Sequence, residues 1–413
     1  MMNKPNRPTG AVVTMPRLGE GFGDGVISVR VDQTGAPADT VRIWWANENG
    51  ARLDGYTVLA KKRVAGWSAR LEKVNGEDEK IIEFTPTDEP AMLELPRNLL
   101  VPVGAAGLLI TAENEAGSSD LLLVPLPEPV AYRTFGKPVL EFQTVSDLHI
   151  DVCDPERTGE RHTAAMLADV AEVCPDSACI AVTGDIADNG DAREHDIMLK
   201  LAKEAAGAPP VYYVIGDHDF GFREASVQEA EFKRFASVDS LSYDKWIGGY
   251  HFIFLASDKP DTPAVFSDEK VAWLREKLAE NADPACPIFV FCHEAVENTV
   301  AGSSDGEGWW GIRQSDPVVR VLAGFPQAIL YSGHSHWELC SPNEVFFADG
   351  TMCHAVNAAS IGYLWTGLDL TGGEHLNGAE AIYTEVYADG SVLIRGRDVV
   401  RRAWTASAQI LLY

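Results

Sequence analysis

Residues 139–150 read VLEFQTVSDLHI, an apolar run that ends in an aspartate and a histidine. A short apolar run bounded by polar residues indicates a buried β-strand. Four further runs end in acidic or imidazole side chains: CIAVTGD (179–185), VYYVIGDHD (211–219), IFVFCH (288–293) and AILYSGHSH (328–336). Segments with helical periodicity, such as residues 191–207 and 267–281, alternate with these strands. Strands that alternate with helices predict a layered α/β fold.

The side chains that follow these strands are of a kind that binds metal ions. In open α/β sheets, ligands gather beyond the carboxyl ends of the strands. The residues found there are Asp147, His149, Asp185, Asp217, His218, His293, His334 and His336. Carboxylates brought together would repel each other, and buried charge has to be paired or coordinated, so we expect two divalent cations. Mixed carboxylate and imidazole ligands suit Mn, Fe, Zn, Co or Ni better than Ca or Mg.

These residues also carry a resemblance to a known family. The motifs are Asp147-Leu-His149, Gly184-Asp185, Gly216-Asp217-His218-Asp219, His293 and Gly333-His334-Ser335-His336. In type and order they resemble the calcineurin-like metallophosphoesterases, which implies a layered β-sandwich flanked by helices. The resemblance implies one metal held by Asp147, His149 and His336, and a second held by Asp217, His293 and His334. Asp185 would bridge two divalent or mixed-valence transition-metal ions.

The resemblance further implies a hydrolase of small organic phosphoesters, in which a metal-bridging hydroxide attacks phosphorus. His218 would be the catalytic acid or a donor to phosphoryl oxygens, and Asp219 or a backbone carbonyl would orient its ring. The block from Thr183 to Asn189 looks like that of bacterial cyclic-nucleotide phosphodiesterase-like enzymes, which slightly favours diesters. A phosphomonoesterase is the near alternative. The tyrosine that purple acid phosphatases place three residues after this aspartate is missing, so that branch is not expected.

Position 217 departs from the family pattern. The family usually has Gly-Asn-His where this chain has Gly216-Asp217-His218. Aspartate can still bind a metal through oxygen, but it adds a negative charge and removes an amide donor. This departure leaves open a second function, a catalytically impaired metal-binding module that interacts with a partner.

A glycine-rich loop between two of the motifs is a candidate for substrate binding. It runs from Ala301 to Asp316 and contains Trp309, Trp310 and Arg313. The tryptophans could stack on a flat group of the substrate while the arginine reaches phosphate. Packing of the tryptophans in the core is an equally good interpretation.

The first part of the chain has a different texture. From about residue 25 to 127, short alternating apolar segments are separated by Gly, Asn, Asp and Pro, which predicts an all-β domain of fibronectin- or immunoglobulin-like type. Prolines and a glycine then punctuate residues 125–138. We therefore predict an N-terminal β-sandwich domain with its linker at 1–132 and a catalytic domain at 133–413.

Charge and cysteine usage limit the partners and the compartment. With 34 basic and 61 acidic residues, the net charge of −27 repels phosphate backbones and argues against a nucleic-acid partner. The seven cysteines are odd in number and lack Cys-x-x-Cys spacing, which favours free thiols. Because residues 1–10 lack an apolar segment and no membrane span is expected, we predict a cytoplasmic protein. It would be secreted or in the cell envelope if a signal peptide has been removed, and its oligomeric state stays open.

Overall fold

A computed structural model describes residues 3–34, 36–74, 77–86, 89–221, 224–259, 263–280, 283–305, 311–341, 343–366 and 374–413, with the backbone alone for residues 65–86 and 374. The chain divides into two compact units, Met1–Thr134 and Phe135–Tyr413. We call them the N-terminal unit and the catalytic unit. The domain boundary predicted after residue 132 stays a prediction.

The described residues of the N-terminal unit form strands and one short 3-10 helix, Leu18–Glu20. The strands are β1 (Gly10–Thr14), β2 (Gly25–Arg30), β3 (Thr40–Ala46), β4 (Ala60–Arg63), β5 (Ala65–Val74), β6 (Glu77–Pro86), β7 (Ala91–Leu95), β8 (Gly107–Asn114), β9 (Gly117–Ser118) and β10 (Leu122–Pro125). They form sheets in the orders β1-β2-β7 and β10-β8-β3-β4, with β9 paired to β8 and β5 paired to β6.

Alternation of side chains explains these strands. In β3, Val41, Ile43 and Trp45 are buried, while Thr40, Arg42 and Trp44 are more exposed, which is the period of two expected for a sheet with one covered face. Ile27 and Val29 repeat the pattern in β2. The relation of this unit to the fibronectin- or immunoglobulin-like folds stays a prediction.

The catalytic unit mixes strands and helices. Its strands are β11 (Leu140–Val145), β12 (Ile180–Val182), β13 (Val211–Tyr213), β14 (Tyr243–Ile247), β15 (Tyr250–Phe254), β16 (Ile288–Phe291), β17 (Ala328–Ser332), β18 (Val345–Phe346), β19 (His354–Asn357), β20 (Leu364–Thr366), β21 (Glu374–Leu376), β22 (Glu380–Val386), β23 (Val392–Asp398) and β24 (Ala403–Leu411). Its helices are α1 (Thr158–Val173), α2 (Ala192–Glu204), α3 (Asp217–Phe220), α4 (Ala225–Ala236), α5 (Asp268–Ala279) and α6 (Pro317–Ala323).

Two six-stranded sheets form the centre of the catalytic unit. Their strand orders are β13-β12-β11-β22-β23-β24 and β14-β15-β16-β17-β19-β18. Aromatic side chains such as Phe142 from the first sheet and Phe291 and Tyr331 from the second are fully buried in one cluster, so the sheets face each other. Separate apolar clusters join the outer face of the first sheet to α1, α2 and α4, and that of the second to α5 and α6. The layered α/β fold predicted for this part of the chain is therefore confirmed.

Local sequence signals place the helices. Asp191 and Glu194 form a capping box at the start of α2. The Asp191 carboxylate accepts backbone N–H groups of the first helical turn, and the Glu194 carboxylate accepts the backbone N–H of Asp191. Ser267 caps α5, and Asp316 caps α6 ahead of Pro317. Among the described residues, no helix has the length and apolar character needed to cross a lipid bilayer.

Candidate metal centre

Five turns carry the candidate ligands. Three of them follow β11, β12 and β13, which are adjacent and parallel in the first sheet. The other two follow β16 and β17, which are adjacent and parallel in the second sheet. Because parallel strands end at the same edge of a sheet, each set of turns lies side by side.

The backbone of these turns is unusual. Asp147, His149, Asp185, His334 and His336 have φ angles of 52°, 43°, 52°, 67° and 57°. Residues other than glycine rarely adopt this left-handed conformation, although Asp and His do so more readily than most. It persists where the surrounding structure holds it, and it is concentrated at functional sites. Most of the candidate ligands share this conformation, which marks these turns as a functional site.

A glycine precedes a candidate ligand in three of the turns because the turns approach each other closely. A Cβ atom at Gly184 would clash with the ring of His293, and one at Gly216 would clash with the carboxylate of Asp185. A Cβ atom at Gly333 would clash with Ser146 Oγ. The glycines of the motifs are thus required by close packing of one turn against another.

The first cluster of ligand atoms consists of Asp147, His149, Asp185 and His336, all of them buried. His336 Nε2 lies 3.1 Å from His149 Nε2 and 3.1 Å from Asp147 Oδ1. Asp185 Oδ2 lies 3.8 Å from His149 Nε2. Three of the turns therefore direct their ligand atoms to one place.

The second cluster consists of Asp217, His293 and His334. Asp217 Oδ1 lies 3.0 Å from His293 Nε2 and 3.2 Å from His334 Nδ1, and the two ring nitrogens are 3.2 Å apart. Asp185 Oδ2 is also 3.4 Å from His293 Nε2. One oxygen of Asp185 thus lies close to an imidazole of each cluster, which is the position of a bridging ligand.

These distances fit coordination of two metal ions. Two ligand atoms that each lie about 2.1 Å from one ion, at tetrahedral or octahedral angles, are about 3.0 to 3.4 Å apart. The three mutual separations in the second cluster, 3.0, 3.2 and 3.2 Å, fall in this range. In the first cluster, the two contacts of His336 Nε2 do so as well. The donor set, carboxylate oxygens and imidazole nitrogens, is the kind that divalent transition metals prefer.

Hydrogen bonds on the far side of the imidazoles fix their orientation. His149 Nδ1 donates to Asp188 Oδ1 over 2.8 Å, and His293 Nδ1 donates to the Thr183 carbonyl over 2.8 Å. When each ring is neutral, Nε2 is therefore the nitrogen without a proton and can bind a metal ion. Asp147 Oδ2 accepts the backbone N–H of His334 at 2.9 Å, which ties the first turn to the last.

The metal-free centre concentrates negative charge that needs compensation. Burial would raise the pKa of Asp147, but the imidazoles of His336 and His293 hold that pKa well below its usual value. Burial would likewise lower the pKa of His293, yet Asp185 and Asp217 raise it well above the ordinary range. Protons on the imidazoles and metal ions therefore compete for the same place, and metal binding releases protons.

His218 lies at the rim of the centre. Its side chain is 45% exposed, and its Nδ1 donates to the Asp188 carbonyl over 2.7 Å. Its backbone N–H donates to Asp185 Oδ1 at 2.9 Å. Burial would lower the pKa of His218, but Asp185, the Asp188 carbonyl and Asp217 raise it. A backbone carbonyl, one of the two alternatives expected from the sequence, orients the ring.

Asp219 is expected from the sequence to be a catalytic residue, but its carboxylate contacts the turns around the site. Its carboxylate is buried and accepts the backbone N–H groups of Gly216 at 2.9 Å and Ala187 at 2.9 Å. Its Oδ1 also lies 3.0 Å from Nε2 of His195. These contacts hold the turn of α3 against the turn after β12, and none of them is to the His218 ring. The geometry corrects the expectation: Asp219 supports the scaffold of the site.

The predicted substrate-binding residues stay predictions. Trp309 and Trp310 lie outside the described residues. Arg313 is described and exposed, and its carbonyl accepts the backbone N–H of Asp316 at 2.9 Å. Within the described part of the chain, its side chain makes no hydrogen bond or ion pair.

Two residues near the centre have no role in the sequence analysis. Asp188 contacts His149 through its carboxylate and His218 through its carbonyl. The sequence signal that could have identified it is its position in the block from Thr183 to Asn189, three residues after Asp185. The ring of Tyr363 lies against both ligand imidazoles of the first cluster, with centroids 5.3 Å from His149 and 4.4 Å from His336. No motif surrounds Tyr363.

A further group of ligand-type side chains lies away from this centre. Asp244, His251 and Glu280 have ligand atoms close enough to share an ion. Lys277 Nζ, however, lies 3.1 Å from Asp244 Oδ1 and 3.2 Å from Glu280 Oε2. The lysine thus forms an ion pair with each of the two carboxylates, and this accounts for the cluster without a metal ion.

Comparison with known proteins agrees with this geometry. Residues 144–338 match the calcineurin-like phosphoesterase family. This part of the chain belongs to that family, and the protein is accordingly a hydrolase of phosphoesters with a metal-binding cluster. No curated protein matches the chain.

Two solved structures are distantly similar to this chain. A purple acid phosphatase from yellow lupin (Lupinus luteus) seeds has a TM-score of 0.48 and 11% identity, covering 92% of this chain and 70% of its own. A 5'-nucleotidase precursor from Thermus thermophilus has a TM-score of 0.38 and 15% identity, covering 66% of this chain and 56% of its own. Likenesses this distant do not select a branch of the family or a substrate.

Proposed function

We propose that the catalytic unit hydrolyses small organic phosphoesters at a centre of two transition-metal ions, with diesters slightly preferred over monoesters. The observation that carries this proposal is the pair of ligand clusters that share Asp185, with His218 at their rim. The family supports phosphoester chemistry. The preference for diesters rests on the resemblance of residues 183–189 alone.

The chain's own residues suit two ions. Asp147, His149 and His336 would hold one ion, Asp217, His293 and His334 the other, and Asp185 would bridge them. The mixed oxygen and nitrogen donors favour Mn, Fe, Zn, Ni or Co. When bound, such ions supply Lewis acidity toward phosphoryl oxygens and lower the pKa of the water that attacks phosphorus.

His218 is the proposed general acid. Its Nδ1 proton is engaged by the Asp188 carbonyl, so Nε2 is the atom left to exchange a proton with the leaving oxygen. Burial would lower its pKa, but the charges of Asp185 and Asp217 and the Asp188 carbonyl raise that pKa in the metal-free centre. A protonated imidazole at the half-exposed rim can donate to an alkoxide leaving group and be reprotonated from solvent.

A test of the proposal compares two esters. Metal-stripped protein is reloaded with Mn, Zn, Ni or Fe and assayed with bis(p-nitrophenyl) phosphate and p-nitrophenyl phosphate. We expect metal-dependent turnover that is lost in Asp185→Ala, since this change removes the bridging ligand. Faster cleavage of the diester supports the proposed preference, and faster cleavage of the monoester reverses it. Two tightly bound metals without turnover of either ester would count against the esterase.

Asp217 motivates a second candidate function, a metal-binding module with impaired catalysis. Its Oδ1 lies 3.0 Å from His293 Nε2 and 3.2 Å from His334 Nδ1, so the carboxylate replaces the usual amide within the ligand set. An added negative charge would strengthen metal binding and weaken binding of an anionic substrate.

Asp217→Asn separates the two candidates. If the aspartate impairs catalysis, the variant gains turnover by at least about tenfold while its metal affinity falls. If the chain is an active esterase as it stands, turnover stays the same or decreases. Metal content of both proteins, measured in the same preparations, shows whether a lost metal explains a loss of activity.

A further inference from the structure

The segment before β20 is attached firmly to the first metal-ligand turn. The backbone N–H of Gly362 donates to the Asp147 carbonyl over 2.8 Å, and Ser360 Oγ donates to the same carbonyl over 3.0 Å. His162 Nδ1 donates to the carbonyls of Ile361 at 2.9 Å and Gly362 at 3.1 Å. A Cβ atom at Gly362 would lie 3.1 Å from His149 Cβ. The residue that follows, Tyr363, is therefore placed by the same turn that carries two ligands.

Tyr363 and His218 both pack against a buried ligand. The ring centroid of His149 is 4.7 Å from that of His218 and 5.3 Å from that of Tyr363. His149 itself is buried, whereas Tyr363 is half-buried and the His218 side chain is largely exposed. Tyr363 and His218 are thus the more exposed rings that pack against this buried ligand.

The hydroxyl of Tyr363 is available for a ligand. It makes no hydrogen bond to any residue that the structure describes. Other tyrosine hydroxyls of the catalytic unit do have partners: that of Tyr331 bonds to Thr384 over 2.9 Å, and that of Tyr383 donates to Asp169 over 2.7 Å. Tyrosine hydroxyls that are removed from solvent usually find a polar partner. The Tyr363 ring lies against the imidazoles of His149 and His336, so a substrate bound at the metal centre is the partner that the surroundings offer.

We propose that Tyr363 is a further substrate-contacting residue, whose phenolic O–H donates a hydrogen bond to a phosphoryl oxygen of the ester. This inference rests on the proposed phosphoesterase function. A fixed donor aimed at the reacting group stabilises the charge that develops there in the transition state. The packing of the ring on His336 and on His375, at 4.4 and 4.7 Å between centroids, holds the donor in place.

The test is Tyr363→Phe, which removes the hydroxyl and keeps the ring packing. We expect kcat/KM for the preferred p-nitrophenyl ester to fall about ten- to a hundredfold, with most of the loss in kcat, because a charged acceptor forms a strong hydrogen bond. The metal content should not change. Tyr250→Phe is the matched control, because Tyr250 is half-buried at the amino end of β15 and should keep wild-type kinetics.

Calorimetric binding of inorganic phosphate to the metal-loaded proteins gives a second readout that needs no turnover. We expect Tyr363→Phe to raise the dissociation constant of phosphate about three- to tenfold. Wild-type kinetics in Tyr363→Phe would overturn the inference while leaving the esterase intact. If the wild-type protein cleaves neither ester, the proposed function fails, and the phosphate result alone decides on Tyr363: equal binding by both proteins, or no binding by the wild type, overturns it.

Discussion

At the scale of single residues, the most informative side chain that does not bind a metal is Asp188. Its Oδ1 accepts the Nδ1 proton of His149, and its carbonyl accepts that of His218. One residue thus orients a proposed ligand through its side chain and the proposed acid through its backbone. The hydrogen bond with His149 lowers the pKa of its carboxyl below the usual value, although burial acts in the opposite direction.

Asp188→Asn should weaken metal binding. The amide oxygen can still accept the His149 proton, but the loss of negative charge makes the imidazole a poorer ligand, and changes of this kind cost about ten- to a hundredfold in metal affinity. Competition with a chelator of known affinity measures the effect. Asp176→Asn is the control, since Asp176 is an exposed carboxylate that pairs with Lys137. Equal metal affinity in Asp188→Asn and wild type would contradict the role.

The contrast between His218 and Asp219 shows where sequence adjacency fails. Both lie in α3, a helix of a single turn, and both look like site residues in the motif. Consecutive helical side chains diverge by about 100°. The His218 ring is therefore at the rim, while the carboxylate of Asp219 is buried against Gly216, Ala187 and His195. Only the three-dimensional path of the turn distinguishes them.

At the scale of secondary-structure elements, the strands and helices that build the site could be predicted because their patterns are local. The run before His293 is apolar at every position, as expected of a buried parallel strand, and helix α2 starts at the capping box of Asp191 and Glu194. The hairpin between β22 and β23 turns at Asp389-Gly390, where Gly390 has a φ of 89°. Each of these signals depends on a few neighbouring residues.

Elements whose position depends on distant contacts could not be predicted in this way. Strands β22 to β24 follow the last motif, yet β22 pairs with β11 and so completes the first sheet. Tyr363 reaches the site because the segment before β20 bonds to the Asp147 turn, more than two hundred residues earlier in the chain. No periodicity in the sequence encodes such a pairing. Tyr363 has no signal in the sequence because such long-range contacts place it.

At the scale of the whole molecule, acidity and metal binding are linked. The chain has a net charge of −27, and the catalytic unit gathers buried carboxylates at one centre. Metal ions that bind the folded chain and not the unfolded chain stabilise the folded chain by mass action.

All seven cysteines are free, and the cytoplasmic location stays a prediction.

The dependence of stability on pH should reverse when metal is removed. In the metal-free protein, carboxylates raise the folded-state pKa of His293, even though burial opposes this. A group whose pKa is raised in the folded state stabilises the folded protein fully at a pH below its unfolded-state pKa, which is about 6.5 for histidine. This stabilisation is lost as the pH rises through the folded-state pKa. In the metal-bound protein, the same imidazole has to be neutral, so added protons displace the metal and stability rises with pH over this range.

Thermal unfolding of the wild type and His293→Asn, each with and without Mn or Zn, measures this reversal. As the pH rises above about 6.5, we expect the midpoint of the metal-free wild type to fall relative to that of the metal-free variant, because only the wild type loses the His293 proton. With metal, the wild-type midpoint should rise with pH, and the variant should show a smaller gain from metal because it lacks one nitrogen ligand. Parallel pH profiles for the two metal-free proteins would show that His293 is not held protonated by Asp185 and Asp217.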